Sequence, residues 1–376
     1  MFDCIVVGAG PAGSSTAYQL AQRGCSVLLL EKYTLPRYKP CTGAIAPCIA
    51  DWLDFDITPA IDQKLRRIRY TWKLGDPIEA NLETEEPMWI VRRDTFDHYL
   101  VNQALKVGVA LKDGTSVLGI ELKDSAWVVE TEHDTHVGRY LVAADGADGP
   151  MARWLGFKSE KVRQSYVLEI DLPEPVADPT MAFEFGLVKQ GCLWNFPKHQ
   201  RHSLGITRFL GSTLKQPETA LAAYAQELGS SLEAGQLYAH GLKLWNGNQP
   251  LHTQQALLVG EAAALVDPMT AEGIRPAIFS GIKAASAIDK ALKGDKQALA
   301  HYSQIIHSEW GNDIQWSQRI ASVFFRMPKI GYRVGIKRPT ATKRLGQLLA
   351  GEIRYADLAN RVIKRLSSSL LPGRET

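Results

Sequence analysis

The chain is 376 residues long with 45% hydrophobic and 22% charged residues, a composition that builds a large buried core and excludes a disordered protein. A net charge of +3 comes with no nucleic-acid motif, and no apolar run approaches the roughly 20 residues that cross a bilayer, so neither a nucleic-acid partner nor a transmembrane span is expected. Five cysteines without a C-x-x-C pair and nine scattered histidines argue against a disulfide framework or a metal centre. The N-terminus enters a strand at once, with no signal peptide, and the chain reads as cytoplasmic, soluble or peripherally attached to a membrane.

Phe2 to Val7 reads as a short buried strand, followed directly by Gly8-Ala9-Gly10-Pro11-Ala12-Gly13. Ser14 to Arg23 reads as a helix with Ala17 and Leu20 inward; Gly24 ends it, and Cys25 to Leu30 is a second apolar strand leading to Glu31 and Lys32. Strand, glycine turn and helix in this order make a dinucleotide site. Gly8 allows the tight turn, Gly10 lets a pyrophosphate approach bare backbone, and Gly13 lets helix and strand pack closely. Pro11 and Ala12 lie in the turn that leads into a helix whose N-terminus offers unpaired N–H groups to phosphates, and Glu31 is placed to accept hydrogen bonds from a ribose. The bland alternative is a glycine-rich turn in an ordinary α/β core.

Lys32 to Gly43 is a long polar loop with two prolines, a length that points to function. Ala44 to Leu53 reads as a short helix, and Ile68 to Trp72 and Trp89 to Arg92 as strands. Arg93 opens a helix running to about Lys106, with Asp94 as a cap. Val109 to Leu111, Ser116 to Glu121, Ala126 to Thr131 and Arg139 to Ala144 read as strands, the last ending at Asp145. From Ser165 to Phe209 four strand-like runs suggest an antiparallel sheet. Ala256 to Val259 is again a buried strand before Gly260-Glu261, and Ile274 to Leu292 is a helix after Gly273.

The expected fold class is α/β: a Rossmann-like dinucleotide domain with an inserted, mainly antiparallel β-sheet domain and a helical C-terminal region. The boundaries fall at 1–75, 90–160 and 250–295 for the first, 76–89 and 161–249 for the second, and 296–376 for the third. From Arg326 onward twelve Arg and Lys face three acids, which suits either peripheral contact with an anionic membrane or a solvated helical surface.

Four pieces together resemble the FAD-dependent oxidoreductases related to aromatic hydroxylases: the opening fingerprint through Glu31, Arg93-x-x-Phe96-Asp97, Asp145-Gly146 with Arg153, and Gly260-Glu261 followed by Asp267-Pro268. Within that class the chain is similar to the geranylgeranyl reductase family. The carriers are Pro36-Arg37-Tyr38-Lys39-Pro40-Cys41-x-Gly43, Trp194-x-Phe196-Pro197-Lys198 and Asp267-Pro268-x-Thr270-x-Glu272-Gly273-Ile274. It departs from that pattern at Glu261 (usually Asp), at Thr42 (usually Gly) and at Cys192 (usually aromatic).

The resemblance implies bound FAD and saturation of isoprenoid double bonds by hydride transfer from the reduced flavin. It implies Glu31 at the adenine-side ribose, Arg93 near the pyrophosphate, the Val117 backbone at the adenine, Asp145 in the FAD site, and Gly260-Glu261 with Gly273-Ile274 along the ribityl chain and flavin ring. The helix after Gly273 would then stabilise charge near flavin N1 and O2. Cys41 and Gly43 would pass the flavin face, with Lys39 and Arg37 lowering the Cys41 pKa; Cys41 or Tyr38 would shape the site or help deliver a proton, or Cys41 is a packing thiol.

Cys192, Trp194 and Phe196 alternate to one strand face, Phe183 and Phe185 share another, and these aromatics line a prenyl channel or are plain core. Lys198 would meet an anionic head group or be solvated. With one G-x-G-x-x-G only, the electron donor, NADPH or reduced ferredoxin, visits transiently, and the other partner is a prenylated small molecule or lipid. The competing readings are an FAD-dependent aromatic or lipid monooxygenase, a flavin halogenase and an inactive scaffold.

Overall fold

Phe2–Val7 is the middle of an eight-stranded sheet, and its residues from Cys4 to Val7 are all buried. This computed structural model describes residues 1–158, 161–211, 214–247 and 249–361. Val27–Leu30 and Thr135–Ala143 flank the first strand in parallel, with Cys4 opposite both Val27 and Tyr140. Ala110–Lys112 and Ala256–Leu258 extend the parallel core outward on either side. Near-continuous apolar runs suit such strands, because a parallel sheet is covered on both faces. The Pro11–Ala21 helix packs on the Ile274–Leu292 helix, which brings the first and last motifs of the site together. Val117–Lys123 and Ala126–Thr131 hang from Thr135–Ala143 as an antiparallel meander.

A seven-stranded sheet forms the second layer, in the order Gln236–Leu242, Arg163–Asp171, Arg201–Arg208, Gly191–Asn195, Met181–Phe185, Arg67–Trp72 and Gly75–Asn81. Every pairing in it is antiparallel except that of Met181–Phe185 with Arg67–Trp72. Arg67–Trp72 falls inside the segment expected for the dinucleotide domain, yet Ile68 and Tyr70 are buried beside Met181 and Phe185. Pairing across 113 residues of sequence leaves no local signal of that membership.

Three local expectations are corrected. Ala44 to Leu53 is not one helix: Ala44–Ile45 pairs with Met88–Ile90, and a 3₁₀ turn runs over Pro47–Trp52. Pro47 holds Ala46 in the extended region, at φ −67° and ψ 130°, so the helix cannot begin earlier. Asp94 does not cap the Arg93–Lys106 helix; it lies in the first turn and pairs with Arg92 at 2.8 Å. Phe183 and Phe185 do not occupy a separate face, because Phe183 lies opposite Trp194 and its ring meets Phe196 at 5.4 Å. Opposed residues of antiparallel strands point to the same side, which strand-by-strand alternation cannot reveal.

The C-terminal part is helical over Asn312–Arg326, Pro328–Gly331 and Pro339–Leu349. It covers the second sheet: Phe325 stacks on Phe209 at 4.6 Å, Phe324 meets Phe185 at 5.3 Å, and Tyr332 meets Trp72 at 5.7 Å. No helix among the described residues is long and apolar enough to cross a membrane. Lys364, Arg365 and Arg374 of the basic tail lie outside the described residues.

Candidate functional site

The three glycines of the opening turn differ in what holds them glycine. Gly8 has φ +104°, and a Cβ there would stand 2.4 Å from the Ala144 carbonyl oxygen. A Cβ on Gly13 would stand 1.8 Å from the oxygen of Gly8. Both are therefore required by packing. Gly10 is open: the nearest atoms to a Cβ there are the Nη2 atoms of Arg37 and Arg93, each at 3.9 Å. Two guanidiniums and the uncapped start of the Pro11–Ala21 helix thus converge on bare backbone, which is an anion cradle.

The carboxylates behind the cradle hold these cations in place. Arg93 forks onto Asp97 with two bonds of 2.7 Å, and Arg37 bridges Asp97 at 2.9 Å and Glu31 at 3.4 Å. Burial opposes the charged form of Arg93, but Asp97 and the Cys41 sulfur outweigh it and hold its pKa above the ordinary value. Burial likewise opposes ionisation of Asp97, and Arg93 and Arg37 overcome it and hold its pKa low. Glu31 accepts the Ala9 N–H at 2.9 Å, so it is tied to the turn itself.

A cavity of about 700 Å³ runs from this cradle, in the size range of cofactor sites. Gly8, Gly10, Glu31, Lys32, Tyr38, Val117, Asp145 and Glu261 all line it. Asp145 accepts the Met151 N–H at 2.8 Å through one oxygen, while its other oxygen is buried without a partner. Glu261 is 3.5 Å from the Lys39 ammonium, so the methylene by which it exceeds Asp still leaves its carboxylate at the cavity wall. A cradle of backbone and guanidinium, an acid at each end and a cavity of this size fit a dinucleotide.

A second, smaller pocket of about 80 Å³ brings together Cys41, Gly43, Gly273 and Ile274 on one side and Phe183, Trp194 and Phe196 on the other. Gly43 has φ +86°, and a Cβ there would meet the Val91 oxygen at 2.0 Å. Thr42 accepts the Trp194 indole N–H at 2.8 Å, which pins the loop to the second sheet. Glu272 also lines this pocket: its Oε2 pairs with Arg275 at 2.9 Å and its Oε1 is buried without a partner. Burial pushes the Glu272 pKa up against the pull of Arg275.

Pro11, Ala12 and Gly13 form the buried first turn of their helix, and Gly260 donates its N–H to Ser280 at 2.9 Å beside Ala12. Lys198 is neither solvated nor at an open anion site. It is 3% exposed, with its ammonium 2.8 Å from Glu169 and 3.2 Å from the Cys41 carbonyl oxygen. Tyr38 donates its hydroxyl to the same Glu169 at 3.0 Å, and burial together with that carboxylate pushes its pKa far up. Arg37 and Lys39, expected beside the Cys41 thiol, are paired with acids instead, and Arg93 is a cation whose charge Cys41 helps to hold.

Sequence reasoning passed over Asp97 and Glu169 as anchors, Glu272 as a pocket residue and His240 as a cavity residue. Asp97 was legible as an acid one helical turn after Arg93. Glu169 and His240 carry no local signal, since each lies in a strand far from the loop it faces.

The chain belongs to the family described as FAD binding domain, whose profile matches residues 1–309, and it is an FAD-dependent oxidoreductase. It is similar to an uncharacterized protein of Methanosarcina barkeri, at 30% identity over 305 residues covering 79% of this chain and 78% of that one. It is also similar to the digeranylgeranylglycerophospholipid reductase of Methanocaldococcus jannaschii, at 28% identity covering 78% of each chain. Kinship with geranylgeranyl reductases is thus shown by sequence. Among solved structures, a geranylgeranyl bacteriochlorophyll reductase-like protein of Thermoplasma acidophilum superposes with TM-score 0.75 at 23% identity, covering 93% of this chain and 91% of that one. A flavin-dependent brominase superposes with TM-score 0.70 at 20% identity, covering 98% and 99%. These two likenesses establish the shared fold.

Proposed function

We propose that this enzyme saturates isoprenoid double bonds of a prenylated lipid or small molecule. The observation that carries the proposal is the small pocket, where the Cys41–Gly43 loop and the Gly273–Ile274 helix start face an apolar wall of Phe183, Trp194 and Phe196. A prenyl chain has no polar handle, so aromatic and aliphatic walls are what can orient it. In this reading FAD fills the larger cavity and supplies the hydride when reduced.

The chain's own residues then have distinct tasks. Gly10, Arg37 and Arg93 hold the pyrophosphate, Glu31 the adenine-side ribose, and Glu261 the ribityl chain. The Ile274–Leu292 helix presents its N-terminus to developing negative charge. Cys41 shapes the reacting face, and Tyr38 positions the Cys41 loop through Glu169 and Lys198. Burial raises the Glu272 pKa and its buried Oε1 has no partner beside the pocket, so Glu272 is the group placed to pass a proton there. The electron donor is NADPH or reduced ferredoxin, and the basic C-terminal region contacts an anionic membrane surface.

The test is anaerobic. Enzyme reduced with dithionite is mixed with geranylgeranyl diphosphate and with geranylgeranyl lipids, and flavin absorbance is followed. Substrate-dependent reoxidation, with mass spectrometry showing a gain of two hydrogens per saturated bond, is the expected result. Absence of reoxidation by every prenyl compound, with oxygen uptake coupled to a substrate instead, would overturn the proposal in favour of a monooxygenase.

A further inference from the structure

We infer that the outward face of the C-terminal helices is an interfacial surface that seats this protein on an anionic lipid bilayer. The inference rests on the prenyl-lipid reading above and assigns the element that meets the lipid.

Nine large hydrophobic side chains are exposed among the described residues, and four of them lie close together in sequence: Val323 at 62%, Met327 at 51%, Ile330 at 57% and Val334 at 53%. The other five are scattered from Met1 to Val162, as single exposed apolar residues ordinarily are. A run of four on one short helical stretch is an apolar surface looking for a partner.

Charge selects that partner. From Ile314 to Gly351 the chain has eight Arg and Lys and no Asp or Glu. Arg326, Lys329, Arg333 and Arg338 are exposed between and beside the four apolar residues. Lys337 and Lys343 are paired with Asp76 and Glu83, but no ion pair among the described residues engages those four cations. Exposed aliphatics rimmed by unpaired basic residues match the acyl boundary and headgroups of an anionic leaflet.

The opposite face of the same segment explains why lipid would be gathered here. Phe324, Phe325, Tyr332 and Ile336 pack inward on the apolar cluster that contains Trp194 and Phe196. Leu349, on the next helix, packs on that cluster and also lines the small pocket. One helical layer therefore separates the proposed bilayer contact from the proposed prenyl pocket.

The experiment is co-sedimentation of the FAD-loaded protein with phosphatidylcholine vesicles, with and without phosphatidylglycerol. Wild type is expected to bind the anionic vesicles and to be released by salt. The combined variant Val323→Ser, Met327→Ser, Ile330→Ser, Val334→Ser should lower the bound fraction about tenfold or more, with flavin absorbance and melting temperature unchanged. Arg326→Gln with Lys329→Gln and Arg333→Gln should abolish the preference for phosphatidylglycerol.

Wild type that ignores anionic vesicles, or a serine variant that binds as well as wild type, overturns the inference. So does sedimentation velocity showing a wild-type dimer that the serine variant dissociates, since the stripe is then covered by a second copy. Vesicle binding through the stripe without prenyl-dependent flavin reoxidation would sink the reductase reading alone. Turnover of detergent-dispersed prenyl lipid without vesicle binding would sink this inference alone.

Discussion

The ammonium of Lys198 lies 2.8 Å from the Glu169 carboxylate, both side chains are almost wholly buried, and the same ammonium donates to the Cys41 carbonyl at 3.2 Å. The pair ties the second sheet to the loop that closes the candidate site. Lys198→Met takes the buried cation away from Glu169, leaving it only the Tyr38 hydroxyl and Arg201 at 4.0 Å, and is expected to cost about 3 kcal/mol in urea unfolding. Tyr38→Phe removes one bond to the same carboxylate and is expected to cost about 1 kcal/mol. A Lys198→Met chain that unfolds at the wild-type urea midpoint would show that the pair does not anchor the loop.

Gly10 separates a cofactor requirement from a folding requirement. Nothing in the protein stands closer than 3.9 Å to a Cβ at Gly10, whereas at Gly13 a Cβ would meet the Gly8 oxygen at 1.8 Å. Gly10→Ala is expected to fold and melt like the cofactor-free wild type but to bind FAD at least about tenfold more weakly, since backbone can no longer approach the pyrophosphate. Gly13→Ala is expected to fail to accumulate as folded protein. Fluorescence titration of FAD and apoprotein melting check both. Wild-type FAD affinity in Gly10→Ala would remove Gly10 from the cradle.

His240 lines the large cavity, and burial, reinforced by Lys39 and opposed by Asp148, pushes its pKa down from 6.5 to about 4. The unfolded chain therefore binds the extra proton between these two values. The His240 contribution to stability is level above pH 6.5 and falls by up to about 1.4 kcal/mol per pH unit as pH drops from 6.5 towards 4. His240→Asn should flatten that limb by this amount relative to wild type. Parallel wild-type and variant slopes across a pH series of urea midpoints would refute the assignment.

Glu272 is the one carboxylate at the small pocket with an unpartnered buried oxygen among the described residues. Glu272→Gln keeps the shape and removes the ionisable carboxyl. It is expected to leave FAD absorbance unchanged and to slow prenyl-dependent reoxidation of the reduced enzyme by about 10²–10⁴-fold. Single-turnover rates equal to those of wild type would assign the proton to another group.

The first two strands and the helix between them could be read from residues 1 to 31, because their signals are local: a buried run and glycines at positions 8 and 13 whose Cβ would clash, though the helix begins at Pro11, three residues before the expected Ser14. The Ile274–Leu292 helix and the antiparallel strands from Arg163 onward were legible for the same reason. Motif spacing also indicated FAD and the reductase kinship, since Arg93, Asp145 and Gly260 carry recognisable neighbours in sequence.

Tertiary structure alone decided which residues meet. Lys198 looked like a free cation after a proline, and became a buried anchor because Glu169 sits two strands away in the same sheet. Thr42 looked like a departure in a glycine-rich run, and holds Trp194 from 152 positions distant. Phe183 and Phe196 share a face only through the register of Met181–Phe185 on Gly191–Asn195. The basic C-terminal stretch was legible as charge, but its bare apolar stripe emerged only when Phe324, Phe325 and Tyr332 turned inward onto the second sheet. Periodicity reports which side of an element is apolar; which neighbour covers that side, and whether any does, is a property of the folded chain.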